Sequence, residues 1–125
     1  MSSTSVQDPT ETGGDLIAAS KVNGTAVYDQ SGEKLGSVHD VMLEKVSGRA
    51  QYAILSIGGF LGIGDKYHPV PWKELTYDTG RGGFTVGLDK GRLEAAPSLD
   101  AGEVGTFDGT RGRAVDEYYG DPAFR

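Results

Sequence analysis

The residues that could bind a ligand most directly are the glycines of the run 58–64, which is followed by Asp65 and Lys66. Glycine-rich loops bind phosphates because their backbone amides, and often a lysine, face the anion. A P-loop has lysine directly after its last glycine, whereas Asp65 takes that position here and would repel a phosphate. A dinucleotide-binding pattern would need a third glycine at Tyr67. The run is therefore predicted to be a turn between two strands, with no cofactor.

Two histidines and a serine are the other candidates for chemistry. His39 and Asp40 are adjacent, so on a regular strand they point to opposite faces and cannot share a metal ion. The chain has no cysteine and no EF-hand spacing, so no metal site is predicted. A nucleophile pair of Ser56 and His68 can be drawn, but no Gly-x-Ser-x-Gly turn supports it. The sequence thus predicts no catalytic residue.

Short β-strands separated by turn residues are predicted to position these side chains. Val38 and Val41 lie at positions of opposite parity, which a bulge near His39 and Asp40 would reconcile. Strands joined by turns at this spacing indicate a mainly β fold, a small antiparallel β-barrel with short helical turns at its N-terminal entry and in its C-terminal extension. The predicted strands span residues 25–28, 35–45, 49–57, 67–71 (an edge strand with two prolines) and 84–89.

The predicted strand 49–57 is apolar on both faces. One face consists of Ala53, Leu55 and Ile57. Tyr52 and Ile54 lie on the other face. Because a strand that is apolar on both faces is buried on both, a second layer must cover it. That layer is either the C-terminal segment of the chain or another subunit, and we favour the subunit.

Composition divides the 125 residues into three parts. The N-terminal part is rich in serine, threonine and glycine and is predicted to be flexible. The C-terminal part is polar and acidic. The three parts are a flexible leader (1–14), a barrel domain (15–96) and an acidic extension (97–125).

The extension contains one candidate helix, at 110–120, for which Gly120 is a C-terminal stop signal. Val115, Tyr118 and Tyr119 fall on one side of this helix. Aromatic side chains are seldom left in solvent, so we expect this side to dock on the barrel or on a partner.

The net charge of −6 lies at the two ends of the chain. Residues 1–15 hold three acidic residues and no basic one, residues 100–125 hold six acidic residues against three arginines, and the segment between them is balanced. A neutral body tends to associate, and no basic face for nucleic acid is visible. No apolar run approaches the ~20 residues of a membrane helix, and the N-terminus lacks a signal peptide's pattern. A cytoplasmic protein without membrane insertion is expected.

Two stretches resemble the PRC-barrel family. The first is residues 21–42, which contain Lys-Val-Asn-Gly-Thr-Ala-Val-Tyr-Asp and Gly-Glu-Lys-Leu-Gly-Ser-Val-His-Asp-Val-Met. The second is residues 52–64, followed by Val70-Pro71-Trp72. The family is named for the cytoplasmic domain of the H subunit of the purple-bacterial photosynthetic reaction centre. It also includes the C-terminal domain of a ribosome maturation factor and stand-alone bacterial proteins.

The resemblance, which covers residues 20–90, implies a compact β-barrel that binds proteins and has no agreed catalytic site. With the charge pattern it predicts a non-enzymatic protein-interaction or scaffold module that forms a homodimer. Two alternatives, association with RNA or the ribosome and an assembly role near photosynthetic electron transport, rest on family analogy alone. A third, from the residues, is an enzyme or ligand binder at the glycine run.

The candidate interface consists of aromatic and aliphatic side chains. For Trp72 the main alternative is a core position at the barrel end, with its N–H bonded to a backbone carbonyl. For Tyr118 and Tyr119 in the extension, the alternative is that they dock on the barrel of the same chain. The candidate residues are Tyr52, Ile54, Phe60, Leu61, Ile63, Trp72, Tyr118 and Tyr119.

Overall fold

The computed structural model describes residues 16–57 and 66–120. Its main element is a mixed six-stranded sheet, curled into a half-barrel, in the order β4-β3-β2-β1-β6-β5. The prediction of a mainly β fold with short helices is confirmed. The strands are β1 (Ala26–Tyr28), β2 (Lys34–Leu43), β3 (Ala50–Ile57), β4 (Tyr67–Pro71), β5 (Leu75–Asp78) and β6 (Gly83–Val86).

One strand pair differs from the antiparallel barrel expected from the sequence, since β1 and β6 run parallel. The other pairs are antiparallel. The reason is the connection between β4 and β5, a 3-10 turn at Trp72–Glu74. These two strands lie at opposite edges of the sheet, so the turn does not form a hairpin between them. Because β4 and β5 run in the same direction, β6 lies beside β1 with the same direction as β1. The strand β5 itself was not among those predicted.

The short helices follow local signals in the sequence. At the start of the second helix the Asp89 carboxylate accepts a 2.8 Å hydrogen bond from the backbone N–H of Arg92, which satisfies a free donor of the first turn. Among the described residues no helix is both long and apolar enough to cross a bilayer. The helices are α1 (Ala19–Val22), α2 (Lys90–Glu94), a 3-10 helix (Ala101–Thr106) and α3 (Gly109–Gly120).

The bulge predicted in β2 is present. Val38 pairs with Leu55 and Asp40 pairs with Ile54, so His39 is the extra residue. The bulge restores the alternation, because it brings Val41 opposite Ala53 on the face that Val38 and Leu55 already occupy.

The concave face of the sheet holds the main hydrophobic core. The core draws on all six strands, and Val22 of α1 and Leu93 of α2 also belong to it. Burial of each such side chain contributes roughly 1.5–3 kcal/mol. The strand residues with at most 2 % exposure include Val27, Leu35, Val38, Ala53, Leu55, Val70 and Val86.

The outer face of β3 and β4 is covered by residues 97–120, the described part of the extension. Tyr67 and Leu99 exchange two backbone hydrogen bonds of 3.0 and 2.7 Å, which fastens the extension to the edge strand. Ile54 packs with Leu99 and Val104 and is 0 % exposed in the single chain. Of the two covers that the sequence left open for this face, the C-terminal segment is the one present here.

Candidate functional site

Helix α3 lies against the ring of Tyr52 through a glycine. A Cβ atom added to Gly112 would be 2.7 Å from the Tyr52 hydroxyl oxygen, so only glycine fits at that contact. Asp116 follows one turn later on the same side of the helix, because residues four apart lie one above the other. The Tyr52 hydroxyl donates a hydrogen bond to the Asp116 carboxylate, with distances of 2.9 and 3.0 Å to its two oxygens.

A groove of about 470 Å³ opens beside this contact, where the end of β4 and the start of β3 meet α3. Tyr52 and Trp72 are both half-buried there. Each ring makes an edge-on aromatic contact outside the groove. The centroid of Tyr52 is 5.1 Å from that of Phe107, and the centroid of Trp72 is 5.6 Å from that of Phe84. We call this the Tyr52–Trp72 groove; its lining is Ala50, Gln51, Tyr52, Pro71, Trp72, Lys73 and Asp116.

The electrostatics of the groove depend on the pair of Tyr52 and Asp116. Desolvation, together with the hydrogen bond and the negative charge of Asp116, raises the pKa of the Tyr52 hydroxyl to about 12. The phenol therefore keeps its proton and remains a donor across the physiological pH range. Within residues 16–57 and 66–120, neither Asp116 nor Lys73 takes part in an ion pair. The groove thus combines two aromatic rings with one charge of each sign.

A second cleft, of about 200 Å³, lies under the extension and has a different character. Its lining includes Pro69, Phe107 and Val115, together with Arg111 at its edge. The Arg111 guanidinium donates to the Glu103 carboxylate at 3.0 Å, so its charge is already compensated. This cleft offers apolar packing, and the charge of Arg111 at its edge is already paired with Glu103.

Of the predicted interface residues that the structure describes, Tyr52 and Trp72 meet in the groove. Tyr119 is buried against the barrel core, and the Tyr118 hydroxyl donates to the backbone carbonyl of Arg92 at 2.7 Å. Ile54 is covered by the extension. Their roles in an interface stay predictions. The other three candidates, Phe60, Leu61 and Ile63, lie outside the described residues.

The residues with catalytic potential do not converge. Leu55 pairs with His68 across β3 and β4, so Ser56 and His68 point to opposite faces of the sheet. His39 is exposed, and its ring packs at a tilt against the ring of Tyr67, with 4.4 Å between the centroids. In the described part of the chain, no group of three or more histidine, aspartate or glutamate side chains is placed to hold a metal ion.

Buried His68 has an unusual environment. It is 3 % exposed, and its Nδ1 atom has no hydrogen-bond partner among the described residues. Desolvation lowers the pKa of its imidazole, an effect partly offset by the backbone of Pro97 and Ala96 and by the charge of Glu94. A neutral imidazole in this position is part of the packing between β4 and the start of the extension.

Sequence reasoning missed Gly112, Asp116, Lys73 and Gln51 as parts of the site. One signal was available: Gly112 and Asp116 are four apart in the predicted helix, so they share a helix side. The contact of that side with Tyr52 spans 64 positions of sequence and has no local signature.

A curled mixed sheet closed on its outer face by its own C-terminal extension defines a small half-barrel domain with an aromatic groove. The model of one family, the PRC-barrel domain, matches residues 14–93, which is more than half of the chain. The chain therefore belongs to the PRC-barrel family, as the resemblance indicated. A search of curated proteins finds no match.

Proposed function

We propose that this protein is a non-enzymatic interaction module that binds a partner protein in the Tyr52–Trp72 groove. The observation that supports this proposal is the convergence of Tyr52 and Trp72, two half-buried aromatic residues, in one open groove with two charges that form no ion pair with another described residue. Tyrosine and tryptophan dominate the binding energy of many protein interfaces. Surface aromatics that are already fixed by Phe107 and Phe84 lose little entropy on binding.

The position of the groove favours side chains of a partner as the occupant. A volume of about 470 Å³ lies within the range of ligand sites. Its walls, however, come from strand ends and the outer side of α3, and the residues with catalytic potential lie elsewhere. A site of this kind supports binding, and the described residues around it bring no nucleophile and base together.

Homodimerisation and a cytoplasmic setting remain parts of the proposal. The two apolar faces of β3 no longer argue for a dimer, because the extension covers the outer one. What supports self-association is the charge distribution, with acidic ends and a balanced segment between them. What supports the cytoplasm is a sequence without cysteine, which requires no oxidising compartment.

The groove can be blocked without disturbing the core, which gives a direct test. Gln51 is exposed and lines the groove, so Gln51→Trp should fill it. Val46 is 97 % exposed outside the lining, and Val46→Trp adds the same surface elsewhere. Affinity capture from the native cells, quantified by mass spectrometry, should retain a partner with wild type and Val46→Trp and lose it with Gln51→Trp. Capture that survives Gln51→Trp, or no partner with wild type, would overturn the proposal.

A further inference from the structure

The carboxylate of Asp116 is fixed at the wall of the groove and remains accessible. Both of its oxygens lie within hydrogen-bonding distance of the Tyr52 hydroxyl, which holds the carboxylate beside the tyrosine ring. Asp116 is exposed, and no lysine or arginine of residues 16–57 and 66–120 pairs with it. A fixed, unpaired carboxylate is preorganised to accept hydrogen bonds from a cation.

The two aromatic rings of the groove suit the same kind of ligand. The faces of tryptophan and tyrosine rings carry negative potential and attract ammonium and guanidinium groups, tryptophan most strongly. Arginine also stacks its planar guanidinium on such rings while it donates hydrogen bonds to a carboxylate. A groove lined by Tyr52, Trp72 and Asp116 offers both interactions.

The charge around the groove also favours a cationic ligand over an anionic one. Lys73 is the one basic residue of the lining, and its exposed ammonium group sits on a flexible stem that can turn towards solvent. Asp116, in contrast, is held by Tyr52. The extension that carries Asp116 has five acidic residues against two arginines between 97 and 120, and the whole chain carries −6. Such a field attracts basic segments and accelerates their association.

From these observations we propose that the Tyr52–Trp72 groove recognises a basic side chain, arginine or lysine, in an exposed segment of the partner protein. This inference rests on the proposed function, since it specifies which part of a partner enters the same groove. Asp116 receives the cationic head group, and the rings of Tyr52 and Trp72 pack against its stem and charge.

Trp72 is the only tryptophan of the chain, so its fluorescence reports on the groove directly. The probes are N-acetyl-arginine amide, N-acetyl-lysine amide and N-acetyl-citrulline amide, the last being a neutral counterpart of arginine with nearly the same shape. We expect saturable fluorescence changes with the two cations, and at least about a fivefold weaker affinity for citrulline, which lacks the charge. Equal responses to arginine and citrulline, or no response to either cation, would overturn the inference.

Two charge-neutral variants of α3 separate a specific contact from the general field. Asp116→Asn keeps an oxygen that accepts from Tyr52 and removes the charge at the groove. Glu117→Gln removes the same charge from the next, exposed position, which does not line the groove. We expect Asp116→Asn to weaken arginine binding at least about fivefold and Glu117→Gln to change it less than about twofold. Equal losses in the two variants would contradict a contact with Asp116.

The same variants distinguish a failure of this inference from a failure of the proposed function. If the captured partner is lost with Gln51→Trp but retained with Asp116→Asn, the groove binds a protein, and the inference that a basic side chain enters it is wrong. If the partner is retained with both variants, the groove itself is not the binding site. Loss with both variants, and retention with Glu117→Gln, supports the inference.

Discussion

Gly112 is the residue that allows α3 to approach β3 closely enough to build the groove. An added Cβ there would be 2.7 Å from the hydroxyl oxygen and 3.1 Å from the Cζ atom of Tyr52. The ring cannot easily move aside, because Phe107 holds its edge and Asp116 holds its hydroxyl group. The position of Asp116 therefore depends on the lack of a side chain at Gly112.

We expect Gly112→Ala to lower the free energy of unfolding by about 1–3 kcal/mol, since the contact becomes overpacked. The matched control is Gly109→Ala in the same helix, where an added Cβ meets nothing within 4 Å. There the better helix propensity of alanine should leave stability unchanged or raise it by up to about 1 kcal/mol. Urea denaturation measures both variants, and equal stability of the two would contradict the close approach.

His68 should make the fold sensitive to mild acid. Burial keeps the pKa of its imidazole below the unfolded value of 6.5, so the unfolded chain takes up a proton that the folded chain does not. Stability is therefore full above that value and falls as the pH drops below it. Among the charged groups nearby, Glu94 opposes this effect and Lys66 reinforces it.

We expect urea denaturation between about pH 7 and pH 5 to show this loss in wild type. The loss should be reduced in His68→Phe, because the titrating group is gone. His39→Ala is the control, since His39 is exposed and its removal should leave the pH dependence in place. An unchanged pH dependence in His68→Phe would rule out His68 as its source.

At the scale of elements, the extension and β3 stabilise each other. Ile54 of β3 is buried under Leu99 and Val104, and the backbone bonds between Tyr67 and Leu99 fix the extension at the sheet edge. Pro69 and Pro71 have no amide N–H to donate, which suits a strand at the edge of a sheet. The outer face of β3 and β4 is thus covered from within the same chain.

We expect Ile54→Ala to lower the free energy of unfolding by about 2–5 kcal/mol through the cavity that it leaves. Leu43→Ala, at a strand residue that is 58 % exposed, should change it by no more than about 0.5 kcal/mol. Urea denaturation of both variants checks this, and equal stability of the two would contradict burial of Ile54 under the extension.

At the scale of the whole molecule, the homodimer stays a prediction from the sequence. We expect light scattering at high micromolar concentration to give twice the 13.2 kDa of one chain. Leu61→Asp, in the glycine-rich run, should reduce this to one chain, because an unpaired charge would have to be desolvated at the interface. Val46→Asp is the control at an exposed hairpin position. A wild-type mass of 13.2 kDa would contradict the dimer.

The dimer and the groove are separate hypotheses with separate tests. The groove lies within the described residues and is complete in one chain, whereas the residues on which the dimer depends most, those of the glycine run, lie outside them. Loss of the dimer would leave the groove as a binding site for another protein.

The amino-acid sequence by itself determined the strands β1 to β4 and β6, the turns that end at Gly32 and Gly48, the bulge at His39 and the two apolar faces of β3. All of these follow from local chemistry: alternation with a period of two, turn residues, and the parity change between Val38 and Val41. The family also followed from contiguous residues, and the family model matches over 14–93.

Only the tertiary structure decided which segment covers Ile54, that β1 and β6 run parallel, and that Asp116 meets Tyr52 across 64 positions. An apolar face shows that something must cover it, but extension and subunit bury it equally well, so the pattern alone cannot choose. The choice depends on how residues far apart in the chain pack together. The groove exists because of the contact between Tyr52 and Asp116. For this reason the sequence pointed to Tyr52 and Trp72 but not to Lys73 and Asp116, the charged residues beside them.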